Sequence, residues 1–249
     1  MSEIWLRARF LTHSFHYRMP DTVAISAVNP AVPSPLTVQM AMLAAYLRKG
    51  ERGKAQALLD LLPLKVRVRP PRGAVIYRGI MRYVRPPKDA GDLDKNTGAG
   101  YKISPHFREF ALLDGPLEVY VLAPAEHHKL VAEALERIPY LGAKDSLVSC
   151  QGEVEPVDEP PSDCAVALED VDLSELADYV VLQLADFEGR ERLFPPAKGK
   201  QKAQDKALTL ERLLPSQRLK EHYRLGVYLV EGQVYSSGNV KVFRRGGGG

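Results

Sequence analysis

Residues 24–50 read AISAVNPAVPSPLTVQMAMLAAYLRKG, and this stretch decides the fold. A loop punctuated by Pro30, Pro33 and Pro35 runs straight into an apolar segment. Each proline fixes its own φ and pushes the preceding residue into extended backbone, so the loop holds one shape. Ser34 suits a helix N-cap, with Pro35 at the first helical position, where a missing N–H does no harm. Val38, Ala41, Met42, Ala45 and Tyr46 recur at helical spacing, and Gly50 supplies the stop. The spacing predicts a buried helix. The N–H groups of its first turn also make a phosphate site, for which capping by Ser34 competes.

Working outward, residues 3–11 (EIWLRARFL) alternate like a strand. Ile4, Leu6, Ala8 and Phe10 share one face; Trp5, Arg7, Arg9 and Leu11 share the other. The arginine face reads either as a solvated surface or as a strand that tracks phosphates. Residues 12–23 form a loop with His13, Phe15, His16, Tyr17 and Arg18, a mixture of rings and cations that single-stranded RNA binders use for stacking and neutralisation and that is also common in proteins that bind nothing.

Downstream, 51–62 reads as a second helix with Ala55, Leu58, Leu59 and Leu62 inward, stopped by Pro63. Residues 64–69 (LKVRVR) and 74–84 alternate as strands. The stretch 85–107 is polar and rich in Gly and Pro, and strands at 74–84 and 108–113 bracket it. A connection this long is functional or disordered. Its basic and aromatic residues gather at its two bases, which points to a projecting hairpin or finger. Arg82, Arg85, Lys88, Lys95, Tyr101, Lys102, His106 and Arg108 are its candidate contacts.

A strand at 116–123, a helix at 125–137 and a short strand and turn at Tyr140-Leu141-Gly142 follow. Residues 153–162 read as an acidic, proline-rich linker, which divides the chain into 1–150 and a smaller β-rich part, 151–249. The second part carries strands at 163–169, 178–184, 225–231 and 239–245. It also holds a basic segment, 187–224, with Lys198, Lys200, Lys202 and Lys206 and a helical look over 204–220.

Bulk properties exclude several classes. With 45% hydrophobic and 26% charged residues the composition is that of an ordinary globular protein. No apolar run approaches the roughly 20 residues that cross a bilayer, no secretory signal is present, and a cytoplasmic protein without membrane contact is expected. Cys150 and Cys164 make neither a disulfide framework nor a zinc site, so no metal and no cofactor is expected. Net charge is only +3, but residues 65–108 are basic and 153–178 acidic, an asymmetry that suggests a polyanion-facing surface. Phosphate-loop, dinucleotide and zincin signatures are missing. One catalytic option survives: Tyr46, His128 and Lys129 are the residue types that a metal-independent ribonuclease needs to move protons and stabilise a charged phosphorane. The plainer reading has His127 and His128 on an exposed first turn of the helix that His127-His128-Lys129 opens, and Tyr46 packed.

The order of elements carries a resemblance. Pro30-Ala31-Val32-Pro33-Ser34-Pro35-Leu36-Thr37 leads to the small-residue helix Met40-Ala41-Met42-Leu43-Ala44-Ala45. Much later come Arg108-Glu109-Phe110-Ala111-Leu112-Leu113, Val119-Tyr120-Val121-Leu122 and Ile138-Pro139-Tyr140-Leu141-Gly142-Ala143-Lys144-Asp145. Over about residues 3–148 the chain resembles the CRISPR-associated Cas-five family of the RAMP superfamily. That resemblance implies an α+β, ferredoxin-like (RRM-like) RAMP domain with an inserted β-hairpin thumb at 85–107. It implies a subunit that caps the five-prime handle of CRISPR RNA in a type I Cascade complex. Its partners would be backbone (Cas-seven) subunits, the large (Cas-eight) subunit and, through the complex, target DNA. The handle surface would draw on Arg7, Arg9, His16, Tyr17, Arg18, Ser34 and Thr37. One branch of the family cuts its own precursor RNA with Tyr, Lys and His. The His128-Lys129 order here is the reverse of that branch's pattern.

Overall fold

The computed structural model describes residues 2–12, 14, 16, 26–27, 32–85, 93, 96, 102–171, 178–195, 207–211 and 222–246. In chain order the elements are β1 (Glu3–Thr12), β2 (Ser26–Ala27), α1 (Pro35–Arg48), α2 (Arg52–Leu61), β3 (Lys65–Arg69), β4 (Gly73–Arg85), β5 (Lys102–Asp114) and β6 (Leu117–Pro124). They continue with α3 (His128–Glu136), β7 (Val148–Cys150), β8 (Glu155–Val157), β9 (Val166–Ala167), β10 (Tyr179–Phe187), α4 (Arg190–Leu193), β11 (Tyr223–Ser237) and β12 (Val240–Arg245). The fold is mixed α and β, with strands in the majority.

Two sheets share these strands. The first runs β3-β6-β1-β7, with β8 also on β1, and every pairing is antiparallel. The second runs β10-β11-β12-β4-β5-β2, with β9 on β11. Strands from both sides of the expected 150/151 division meet in both sheets: β8 pairs with β1, and β12 pairs with β4.

α1 forms as its sequence dictates. Ser34 caps it, its Oγ accepting from the Thr37 N–H at 3.2 Å, and Gly50 leaves the helix at φ +75°, where a side chain would be strained. Val38, Met42 and Tyr46 are fully buried. α1 packs on β3 of the first sheet and on β10 of the second, so one apolar core runs through both layers. Leu6, Ala8 and Phe10 of β1 face that core, as do Val66 and Val68 of β3 and Val119, Val121 and Ala123 of β6.

Several boundaries differ from the sequence reading, each through tertiary pairing. β5 begins at Lys102 rather than 108, because 102–107 pair rung by rung with β4. Pro105 hides this strand from a sequence reading, yet among the described residues β5 has no second neighbour at that point, so the missing N–H is tolerated. The acidic stretch 153–162 is not a plain linker, since Glu155–Val157 adds an edge strand to β1. The strand expected at 140–142 lies at Val148–Cys150, Tyr140 contributing only an isolated bridge to Leu147. The strand expected at 163–169 shrinks to Val166–Ala167. Most of the expected helical stretch 204–220, and Lys198, Lys200, Lys202 and Lys206, lie outside the described residues. Among the described residues no helix is long and apolar enough to cross a membrane.

Candidate nucleic-acid interface

β4 and β5 pair without a break from Gly73 opposite Asp114 to Arg85 opposite Lys102. β12 flanks β4 only over Gly73–Tyr77, and β2 meets β5 only at Phe107 and Arg108. Past those rungs the hairpin is, among the described residues, a two-stranded ribbon that outruns the sheet. Arg82 is exposed on it, opposite Pro105. His106 and Arg108 are half-buried on β5, opposite Met81 and Gly79. Lys88, Lys95 and Tyr101 lie outside the described residues, as do the side chains of Arg85 and Lys102.

At the base of the ribbon, Glu109 is buried and takes two cations. Arg78 Nη2 lies 3.4 Å and Lys241 Nζ 3.2 Å from its Oε1. Sequence reading missed Arg78 and Lys241. The alternation Arg78, Ile80, Arg82 within the strand 74–84 was the available signal for Arg78. Nothing local marks Lys241, which reaches Glu109 only through the β12–β4 pairing.

The arginine face of β1 has a different fate. The segment 155–170 lies over the face of the first sheet that Arg7 and Arg9 share with Arg67 and Arg69 of β3, and supplies carboxylates one after another. Glu155 binds Arg7 directly and sits 4.0 Å from Arg9. Asp163 receives Arg69 Nε and Nη2 at 2.7 and 2.9 Å, and Arg245 Nε at 3.2 Å. Asp170 receives Arg67 at 2.6 Å and lies 3.9 Å from Lys65. Glu118 of β6 adds an ion pair to Arg69 at 3.0 Å. The Glu155 hydrogen bond, against a smaller opposing effect of burial, raises the pKa of Arg7 above its usual value. Glu155, Asp163 and Asp170 of the acidic stretch are therefore matched to basic residues inside the molecule. Arg7 and Arg9 hold a strap in place.

The remaining handle candidates are also engaged. Ser34 is fully buried, its Oγ 2.9 Å from the Thr37 Oγ1, so the helix start is already occupied. His16 is buried too, with Nδ1 2.8 Å from the Glu109 carbonyl and its backbone bonded both ways to the Ser146 hydroxyl. Its ring lies 5.1 Å from Phe110. His16 is thus tied to β5 and to Ser146. Tyr17 and Arg18 lie outside the described residues.

A curated CRISPR-associated protein Cas5 from Archaeoglobus fulgidus is 23% identical to this chain over 187 residues, which is 70% of this chain and 75% of that protein. That similarity supports the Cas5 family. No family model matches the chain. A crystal structure of a CRISPR protein from Archaeoglobus fulgidus aligns with 98% of this chain and 92% of its own, at a TM-score of 0.45 and 13% identity.

The Cas5 resemblance also raised Tyr46, His128 and Lys129 as catalytic candidates. Tyr46 is fully buried, and its hydroxyl donates to the Leu130 carbonyl at 2.6 Å, with Glu133 Oε2 at 3.1 Å. Burial, helped by the Glu133 charge and hydrogen bond, pushes its pKa well above the usual phenol value. Lys54 binds Glu133 at 2.8 Å and Glu51 at 3.0 Å, and Arg137 binds the same two carboxylates at 2.5 and 2.8 Å. This network ties α1, α2 and α3 together around Tyr46. His128 points Nδ1 at the Ala125 carbonyl, 2.6 Å away, and Lys129 is exposed. Among the described residues no cluster of His, Cys, Asp and Glu could hold a metal ion.

Proposed function

We propose that this chain is a Cas5-type CRISPR RNA-binding subunit of a type I Cascade complex that caps the five-prime handle of the guide. The β4–β5 ribbon is its thumb. Backbone (Cas-seven) and large (Cas-eight) subunits are its partners, and target DNA is reached through the assembled complex. The observation that carries this reading is the ribbon itself: a cationic hairpin that outruns its sheet, on a chain similar to Cas5. The strand order β3-β6-β1-β7 with α1 and α3 as connections supports a ferredoxin-like unit within 1–150, with the hairpin inserted between β3 and β6. Residues 151–249 then add strands to that unit. The pairing of Arg7, Arg9, Arg67 and Arg69 with the 155–170 strap argues that affinity comes from the ribbon rather than from the open face of the first sheet.

The test compares a repeat-derived handle RNA with a scrambled RNA across a salt series. The handle binds more tightly at every salt, and Arg82→Ala weakens binding and flattens the salt dependence by about 0.7 in slope for each phosphate no longer neutralised. Equal binding of handle and scramble throughout the series refutes capping. Processing of precursor RNA by Tyr46, His128 and Lys129 is the weaker reading, because the Tyr46 hydroxyl is buried and already donates to a backbone carbonyl.

A further inference from the structure

One face of the hairpin changes character as it leaves the core. Alternate residues of paired strands share a face. The rungs along this one are Ile76–Ala111, Arg78–Glu109, Ile80–Phe107 and Arg82–Pro105. Ile76 and Ala111 are buried in the core. Arg78 and Glu109 form the charged rung, with Lys241 reaching the same carboxylate. The next rung is apolar yet open to solvent, Ile80 being 64% and Phe107 39% exposed. Arg82 follows, exposed. An exposed apolar rung between two cationic ones does nothing for the core.

We propose that Ile80 and Phe107 form a stacking shelf for one unpaired base of a single-stranded RNA, with Arg78 and Arg82 taking the flanking phosphates. The inference rests on the RNA-binding reading above and assigns it a subsite. Same-face strand residues stand about 6.8 Å apart, so Arg78 and Arg82 are about 14 Å apart with the shelf midway. Each of these long side chains can reach back toward the shelf, so that an extended strand with one base on the apolar rung meets a guanidinium at each flanking phosphate. Aromatic side chains stack any base, so the shelf adds grip and leaves the choice of handle to other contacts. Arg78 and Lys241 share the one carboxylate of Glu109 with their side chains 43% and 41% exposed, so the pair of cations carries one positive charge in excess of its acid, which a phosphate can meet. The cations on both sides favour a polyanion with flat apolar faces over a purely apolar partner.

The experiment uses the full chain and a short single-stranded RNA carrying one 2-aminopurine, read by affinity and by fluorescence quenching. Phe107→Ala weakens binding about tenfold and abolishes the quench, with the salt slope unchanged because the charge is unchanged. Phe107→Tyr keeps both affinity and quench. Arg82→Ala lowers the salt slope while the quench persists. Unfolding midpoints of all three variants stay near that of the unmodified chain, since the side chains are exposed. Indifference of affinity and quench to Phe107→Ala overturns the shelf but leaves RNA binding standing. Failure of the unmodified chain to bind the RNA at any salt overturns both readings. Displacement of the RNA by polyglutamate at equal charge concentration marks the ribbon as a protein-docking surface and also overturns the shelf.

Discussion

Asp163 is the residue on which the strap over the first sheet most depends, and replacing it by alanine tests that directly. It receives both Nε and Nη2 of Arg69, at 2.7 and 2.9 Å, and Nε of Arg245 at 3.2 Å, with its side chain only 17% exposed. Breaking a buried ion pair costs about 3–5 kcal/mol, because the surviving charge stays desolvated. Here two circumstances lower that figure. Arg69 keeps Glu118 at 3.0 Å, and Arg245 keeps the Pro70 carbonyl at 2.8 Å. The expected loss is therefore about 3 kcal/mol. A chain of this size loses about 2–4 °C in Tm per kcal/mol, so the melt should fall by roughly 6–12 °C. Urea unfolding should show a lower midpoint at unchanged m. Glu169→Ala, on the same strap, is the internal comparison: it and its partner Arg224 are 63% and 53% exposed, so their ion pair is worth about 1 kcal/mol or less. Cys164 offers a local readout, because burial pushes its thiol up to about 12 and keeps it unreactive. In Asp163→Ala it should react with a thiol reagent faster, with the half-buried Cys150 as the reference. A loss below about 1 kcal/mol, or equal losses for Asp163→Ala and Glu169→Ala, refutes the argument that burial makes this the anchoring pair.

Two further outcomes are expected. Burial raises the Asp186 carboxyl to about 6, against the opposing pull of the Phe187 N–H, the Tyr228 hydroxyl and Gln39. Between pH 4 and 6 the native state then binds more protons than the unfolded chain, so stability falls as pH rises through that window, by up to about 3 kcal/mol. Asp186→Asn should be more stable than the unmodified chain at pH 7.5 and lose that advantage at pH 4, and urea melts at the two pH values that show the reverse would refute it. Tyr46→Phe should cost about 1–2 kcal/mol by removing the hydrogen bond to Leu130, while RNA affinity is unchanged. Repeat-RNA cleavage in EDTA that is present in the unmodified chain and abolished in Tyr46→Phe would instead make the phenol catalytic.

The legibility of this sequence follows from the range of the forces involved. α1 is readable because its determinants are local: a serine cap, a proline at the first position, a helical apolar spacing and a glycine stop within one stretch. The alternating runs that become β1 and β3 are readable for the same reason. The strap is not. Its ion pairs join residues far apart in sequence, such as Arg7 with Glu155 and Arg69 with Asp163, and composition alone supplies the right charges with the wrong destination. β8 is hidden because a three-residue edge strand with a central proline has no periodicity to detect. His16 looks like a stacking residue in a polar loop, and only its tertiary bonds to Ser146 and Glu109 make it an anchor.

The same distinction separates the structural arginines from those left for a ligand. A cation that already faces a carboxylate in a part-buried setting gives up an interaction before it can meet a phosphate, and that cost offsets the gain. Arg7, Arg67 and Arg69 are in this position, since each meets an acid of the 155–170 strap. Arg82 stands exposed on a ribbon that β12 and β2 do not reach, and among the described residues no carboxylate pairs with it, so that neutralising a phosphate there gives up no such ion pair. The near-balance of charge in the chain as a whole is thus consistent with a basic working surface. The acids of the 155–170 strap lie over the first sheet, and Arg82 on the hairpin is not among the cations they engage.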